Sequence, residues 1–227
     1  MHSKKIEDYK KSLKLTKFQR ELIIGMLLGD AHLETRSQGR VYRLKVEQSI
    51  KQKEFVDWLY VALDNWTNQE PKERIVKGLV RYGFTTYSHG NLRFYGQQFY
   101  PNGKKVIPKM IGKLLTPLAL AVWFMGDGSR KSQKHRTFII HTLGYTKSDL
   151  CRVQEVLETK LGIKSSLHIQ KGKYWRLYIL SESANTFKKT VEPYVLPSMQ
   201  YKLGNVNAQS VTEEFIRLAR SGWKSGR

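Results

Sequence analysis

Cysteine is nearly absent from this chain: Cys151 is the only one in 227 residues. A single thiol excludes an internal disulfide and a cysteine-built zinc site, and it fits a reducing compartment. Cys151 itself is expected to be a buried, small apolar residue. Long apolar runs are missing too. The two longest, Leu22 to Gly29 and Leu114 to Gly126, fall short of the roughly 20 residues a membrane-spanning helix needs. Residues 1–15 are charged where a signal peptide has its apolar core, so an intracellular setting (cytoplasm, nucleoid or organellar matrix) is expected. The histidines (His2, His32, His89, His135, His141 and His168) are scattered without metal-ligand spacing, which argues against a histidine-metal nuclease. Acidic residues are scarce: 19, against 40 lysines and arginines.

The resulting net charge of +21 points first to nucleic acid as the partner, since no long amphipathic basic helix suggests a membrane surface. Hydrophobic residues make up 40% of the chain, enough for one large or two small globular cores. One motif occurs twice. Ile23-Ile24-Gly25-Met26-Leu27-Leu28-Gly29-Asp30-Ala31 and Leu120-Ala121-Val122-Trp123-Phe124-Met125-Gly126-Asp127-Gly128 are both apolar runs closed by Gly-Asp and a small residue. Their aspartates lie 97 residues apart. An acid at the end of a buried helix is costly without a partner or a metal, so the repetition suggests two matched acidic sites.

The segments around the motifs follow one order. Thr16 predicts an N-cap for a helix from Lys17 to about Gly29, and Thr116-Pro117 opens the second motif helix in a similar way. Tyr42 to Glu47 alternates as a strand, with Arg43, Lys45 and Glu47 on its polar side. Helical spacing covers Lys53 to Trp66, with Trp58, Trp66 and later Trp123 as core residues. Strands are expected at Leu79 to Tyr87, Leu92 to Tyr95 and Thr137 to Leu143, and a helix from Ser148 to Leu161. A hairpin with a Lys171-Gly172-Lys173 turn is expected next, with Leu167 and Ile169 on its oily face, and then helices at residues 184–192 and Ser210 to Arg220. The division is a basic lead-in (1–15), a first repeat with linker (16–112), a second repeat (113–220) and a tail (221–227), the halves meeting near Gly103 to Thr116.

The two nonamers resemble the LAGLIDADG motif of homing endonucleases. Lys104-Lys105-Val106-Ile107-Pro108, Leu114-Leu115-Thr116-Pro117 with Trp123-Phe124-Met125, and Tyr194-Val195-Leu196-Pro197 with Tyr201-Lys202-Leu203 are similar to further segments of that family. The resemblance spans roughly residues 16–205 and points to the single-chain, intron-encoded branch. It implies an α/β (α+β) fold: two pseudo-symmetric αββαββα repeats forming a DNA-binding saddle, with the motif helices packed together. It also implies a monomer that cuts both strands of a long double-stranded DNA site and leaves short 3′ overhangs. One departure stands out. Val122 occupies a position where the motif often has glycine, opposite Gly25, so the helix contact is expected to be locally wider or asymmetric there.

Two helices packed side by side would bring Asp30 and Asp127 together at the negative ends of two helix dipoles. Their mutual repulsion is relieved by a hard divalent cation, Mg²⁺ or Mn²⁺, which also activates water and polarises phosphate. By resemblance, the carbonyls of Gly29 and Gly126 join as ligands, and Lys105 and Lys202 are the catalytic lysines. These lysines share the 97-residue offset of the aspartates. Aligning Pro108 with Pro197 instead pairs Lys113 with Lys202. Glu47 and its counterpart Thr142 are candidates for supporting the acids. Base reading falls to Arg36, Arg40, Arg43, Lys45, Arg81, Arg136, His168, Gln170 and Arg176, most of which are expected to touch phosphate. An intron RNA maturase and a catalytically silent DNA-binding protein on the same scaffold remain the alternatives.

Overall fold

The computed structural model describes residues 4–132 and 137–204. The helix expected at Ser210 to Arg220 and the tail lie outside the described residues, as does Arg136. The chain divides into two compact units, one built from residues 4–20 and 30–97, the other from residues 21–29 and 98–204.

The first unit contains α1 (Lys4–Ser12) and the opening turn of α2 (Lys17–Leu28). Thr16 caps α2 as its sequence requires: its hydroxyl accepts the Gln19 amide at 3.1 Å, and the Gln19 side chain accepts the Thr16 amide at 3.2 Å. Then come β1 (His32–Glu34), β2 (Arg43–Ser49), α3 (Lys53–Ala62), β3 (Lys72–Val76), β4 (Leu79–Thr85) and α4 (Arg93–Phe99). The four strands form one antiparallel sheet in the order β1-β2-β4-β3. Alternation sorts its faces. Leu44, Val46, Tyr82 and Phe84 are buried on the α3 side, and the Tyr82 hydroxyl donates to Asp57 of α3 at 2.8 Å.

Two expectations are corrected in this unit, and two strands are added. The helix from Lys53 ends at Ala62 and gives way to a single 3₁₀ turn, Asp64–Trp66. Leu92 to Tyr95 is helical rather than extended. The His89 ring caps the turn by accepting the Asn91 amide at 3.0 Å, and Leu92, Tyr95 and Phe99 then bury one helical stripe. Finally, β1 and β3 lack a sequence signal. β1 alternates but is only three residues long, too short to stand out, and every residue of β3 is exposed, so it lacks the alternation that identifies β2.

The second unit contains the rest of α2, α5 (Ile111–Leu114), α6 (Pro117–Asp127), β5 (Gly128–Arg130), β6 (Phe138–Ile140), α7 (Lys147–Leu161), β7 (Ser165–Gln170), β8 (Tyr174–Ile179) and α8 (Ala184–Val191). Its sheet has the order β5-β6-β8-β7, the same first-second-fourth-third sequence as the other sheet. A shared strand order with a shared motif is the signature of an internal duplication. The Thr116 hydroxyl caps α6 by accepting the Ala119 amide at 3.2 Å, with proline at the first helical position. Residues 118–125 of α6 are buried all round, as expected of a core helix.

Two further corrections fall here. Cys151 is exposed, because α7 buries Leu150, Val153 and Leu157 and residue 151 lies off that stripe. Ile169 is 51% exposed, near the end of a hairpin that outruns the core beneath it. Trp58, Trp66 and Trp123 are buried as expected. Among the described residues no helix is long and apolar enough to cross a membrane.

Candidate active site

The C-terminal part of α2 lies against α6 in the second unit, and the contact is set by the glycine–valine mismatch. A β-carbon at Gly25 would fall 2.5 Å from the Ala119 carbonyl oxygen and 2.6 Å from Val122 Cβ. The bare glycine therefore leaves the room that Val122 fills. The contact is asymmetric, as expected, but it closes tightly instead of widening.

One turn further along, a β-carbon at Gly29 would lie 3.0 Å from Asp127 Oδ2. The Asp127 carboxylate thus lies beside the backbone end of the first motif helix. Asp30 is exposed and follows Gly29 in the chain, so their α-carbons are about 3.8 Å apart by covalent geometry alone.

A lysine meets the end of each motif helix. Lys105 Nζ donates to the Gly29 carbonyl. Lys202 Nζ donates to the Met125 carbonyl at 2.5 Å and reaches the Gly126 carbonyl at 3.5 Å. Both lysine–glycine pairs span 76 residues of chain. The ends of helices gather unsatisfied carbonyls and partial negative charge, which favour an ammonium group. Lys202 is only 7% exposed, and a buried cation is tolerable because these carbonyls hydrogen-bond it. Lys113, the alternative from the second register, sits exposed in the last turn of α5. The Tyr145 hydroxyl closes the end of α2 further by donating to the Leu28 carbonyl at 2.9 Å.

Strand register identifies what faces each acid. The His141 amide donates to the Asp127 carbonyl at 3.0 Å, continuing the β5–β6 ladder. Counting on from the β1–β2 register, in which His32 faces Lys45, Asp30 in the turn before β1 matches the position of Glu47 on β2. His141 therefore occupies in the second repeat the position that Glu47 holds in the first. Its imidazole is 3.2 Å from Ser129 Oγ. Burial, and then the charges of Arg176 and Lys202, hold its pKa below the ordinary value, which favours the neutral ring. Thr142 lies one residue further on, 1% exposed, with its hydroxyl donating to the Trp175 carbonyl at 2.8 Å. The sequence carried no sign of His141, because its importance rests on pairing between distant strands.

The basic residues expected to read bases divide between the sheets. On the side of the first sheet away from α3 stand Arg43, Lys45 and Glu47 of β2 and Arg81 of β4. β3 adds Lys72 and Arg74, which the sequence reading missed. Arg43 is paired with Glu34 at 2.6 Å, and Lys45 lies 3.6 Å from Glu47. Arg36 and Arg40 are exposed in the loop between β1 and β2. In the second sheet His168 faces Arg176, and Gln170 faces Tyr174.

A motif helix, an acid, a lysine bridge and a four-stranded sheet, each present twice, define a duplicated protein whose charge suits a polyanion. The chain belongs to the LAGLIDADG DNA endonuclease family, whose model matches residues 20–187. It is 32% identical over 200 residues to the cytochrome b mRNA maturase bI2 of Debaryomyces hansenii, covering 84% of this chain and 75% of that protein. It is 30% identical over 213 residues to a probable intron-encoded endonuclease 1 of Wickerhamomyces canadensis, covering 89% and 91%. Among solved structures it is similar to the homing endonuclease I-WcaI bound to its DNA recognition sequence, with a TM-score of 0.82, 29% identity and coverage of 89% and 93%.

Proposed function

We propose that this chain is a monomeric, site-specific endonuclease that hydrolyses both strands of a long double-stranded DNA target and leaves short 3′ overhangs. The duplicated helix-end arrangement carries the reading: one acid and one lysine for each motif, as a two-strand cut requires. The donor set suits a hard divalent cation, Mg²⁺ or Mn²⁺. Asp127 presents a carboxylate beside Gly29, and a carbonyl oxygen that accepts a lysine keeps a second lone pair. Asp30, Asp127 and the carbonyls of Gly29 and Gly126 would hold the metal. When bound, it supplies Lewis acidity and lowers the pKa of its water. Lys105 and Lys202 offset the charge that develops on the phosphate. Glu47 and His141 face the acids and orient water there, and Thr142 anchors its strand end through the Trp175 carbonyl.

The test is end-capture sequencing of a complex DNA library incubated with Mg²⁺, with a chelator control. Recurrent metal-dependent breaks with short 3′ overhangs are expected from the wild type, and DNA binding without breaks from Asp127→Asn. Breaks that persist in Asp127→Asn, or that ignore the chelator, overturn the assignment. The maturase among the relatives favours a second activity, assistance to intron RNA splicing. Splicing of the host intron promoted by Asp127→Asn would establish it separately from cleavage.

A further inference from the structure

The polar face of the first sheet ends in an apolar pair. β4 faces β3 with Gly83 opposite Lys72, Arg81 opposite Arg74 and Leu79 opposite Val76. Because side chains alternate, Val76 and Leu79 share the face of Lys72, Arg74 and Arg81, while Ile75 and Val80 project to the other side. Val76 is 41% exposed and Leu79 59%. They are joined by a two-residue turn, Lys77-Gly78, with φ of 51° and 75°. Positive φ at both positions marks the tight turn that matches strand twist and holds its flanking residues directly opposite each other. The tip is thus a rigid apolar cap at the end of a strip whose other members are mostly cationic. The corresponding face of the second sheet ends differently, with Gln170 opposite Tyr174, a pair able to hydrogen-bond.

We infer that Val76 and Leu79 read thymine, packing against C5-methyl groups at the end of the DNA half-site followed by this sheet. The inference rests on the DNA-binding part of the proposed function. The basic strip gives the hairpin a polyanionic partner, and a two-stranded ribbon fits the major groove. Within that groove the base edges offer hydrogen-bonding groups and a single apolar feature, the thymine methyl. An apolar pair at the end of the strip has no other base-specific complement. A tip of Gln170 and Tyr174 suits hydrogen-bonding edges instead, so the two ends of the target are expected to follow different rules.

The experiment is binding selection from random DNA duplexes in chelator, which separates recognition from cleavage, using wild type and the double variant V76S/L79S. The wild type is expected to enrich thymine at one end of its motif. The variant is expected to lose that preference there and keep the rest. In the selected duplex, deoxyuridine in place of those thymidines removes only the methyls. It is expected to weaken wild-type binding about fourfold per methyl and leave V76S/L79S unaffected. An unchanged base preference in the variant, a lost preference for a base other than thymine, or an indifferent response of the wild type to deoxyuridine overturns the inference while a selected motif leaves the DNA-binding reading standing. No motif from any version overturns both. The deoxyuridine measurement on the wild type does not depend on the variant folding.

Discussion

Replacing Gly25 by alanine tests whether the notch beneath Val122 sets the contact between α2 and α6. The substitution adds one methyl group where the Ala119 carbonyl oxygen would be 2.5 Å away, Val122 Cβ 2.6 Å and Val122 Cγ1 2.9 Å. Carbon atoms pack best at about 3.5–4.0 Å, so the helices must separate or bend. Overpacking of this kind costs about 1–3 kcal/mol. Removing a glycine from a helix interior returns roughly 0.5–1 kcal/mol. At the middle of both ranges the net loss is about 1.25 kcal/mol, which lowers Tm by about 2–5 °C for a chain of this size. Thermal melting by circular dichroism reads the change. The conflict has two sources, so a double-mutant cycle separates them. Val122→Gly removes the side-chain clash and leaves the carbonyl, so Gly25→Ala should cost less in that background, with a coupling of at least ~0.5 kcal/mol. A Gly25→Ala protein that melts at or above the wild type, or a strictly additive cycle, refutes the packing argument.

Other expectations follow from the same geometry. Lys105→Met and Lys202→Met should each slow cleavage by about 10²-fold or more, as removal of a charge-stabilising group does elsewhere, whereas Lys113→Met should leave the rate unchanged; single-turnover assays on each strand report it. Burial, opposed by the charge of Arg20, pushes the Tyr95 hydroxyl above the ordinary tyrosine value, up to about 12. Above pH 10 the unfolded chain loses that proton first, so stability should fall between about pH 10 and 12, and Tyr95→Phe should remove that component of the alkaline loss. DNA affinity should fall linearly on a log–log plot against salt, and replacing Lys72 and Arg74 together by glutamine should reduce the slope by up to about two.

The sequence reveals what local chemistry determines. Thr16 and Thr116 place two helix starts because a capping hydroxyl is a local requirement, and Leu44 and Val46 place β2 because one of its faces is buried. β3 escaped notice because a ribbon exposed on both sides owes nothing to alternation. Leu92 to Tyr95 reads as a strand because aromatic residues favour strands until the spacing of their burial is known. Lys105 stands out in the sequence through the family segment it resembles, and the structure brings it to the Gly29 carbonyl. His141 does not stand out, since only the antiparallel register brings it to Asp127; the sequence reading names its neighbour Thr142 as the counterpart of Glu47.

The division of α2 between the two units has a consequence for taking the protein apart. Residues 17–20 of this helix cluster with the first unit and residues 21–29 with the second. Each repeat therefore has its own sheet, but the second unit depends on a helical segment that precedes the first sheet in the chain. A fragment beginning at residue 98 would contain Ala119 and Val122 without the glycine face they press against, and Lys105 without the carbonyl it holds. The two sheets share one strand order, yet the second unit takes residues 21–29 from a helix that begins in the first. Two-plasmid or split-gene versions of this protein should work only where the break spares α2, so that the borrowed segment can still reach its host.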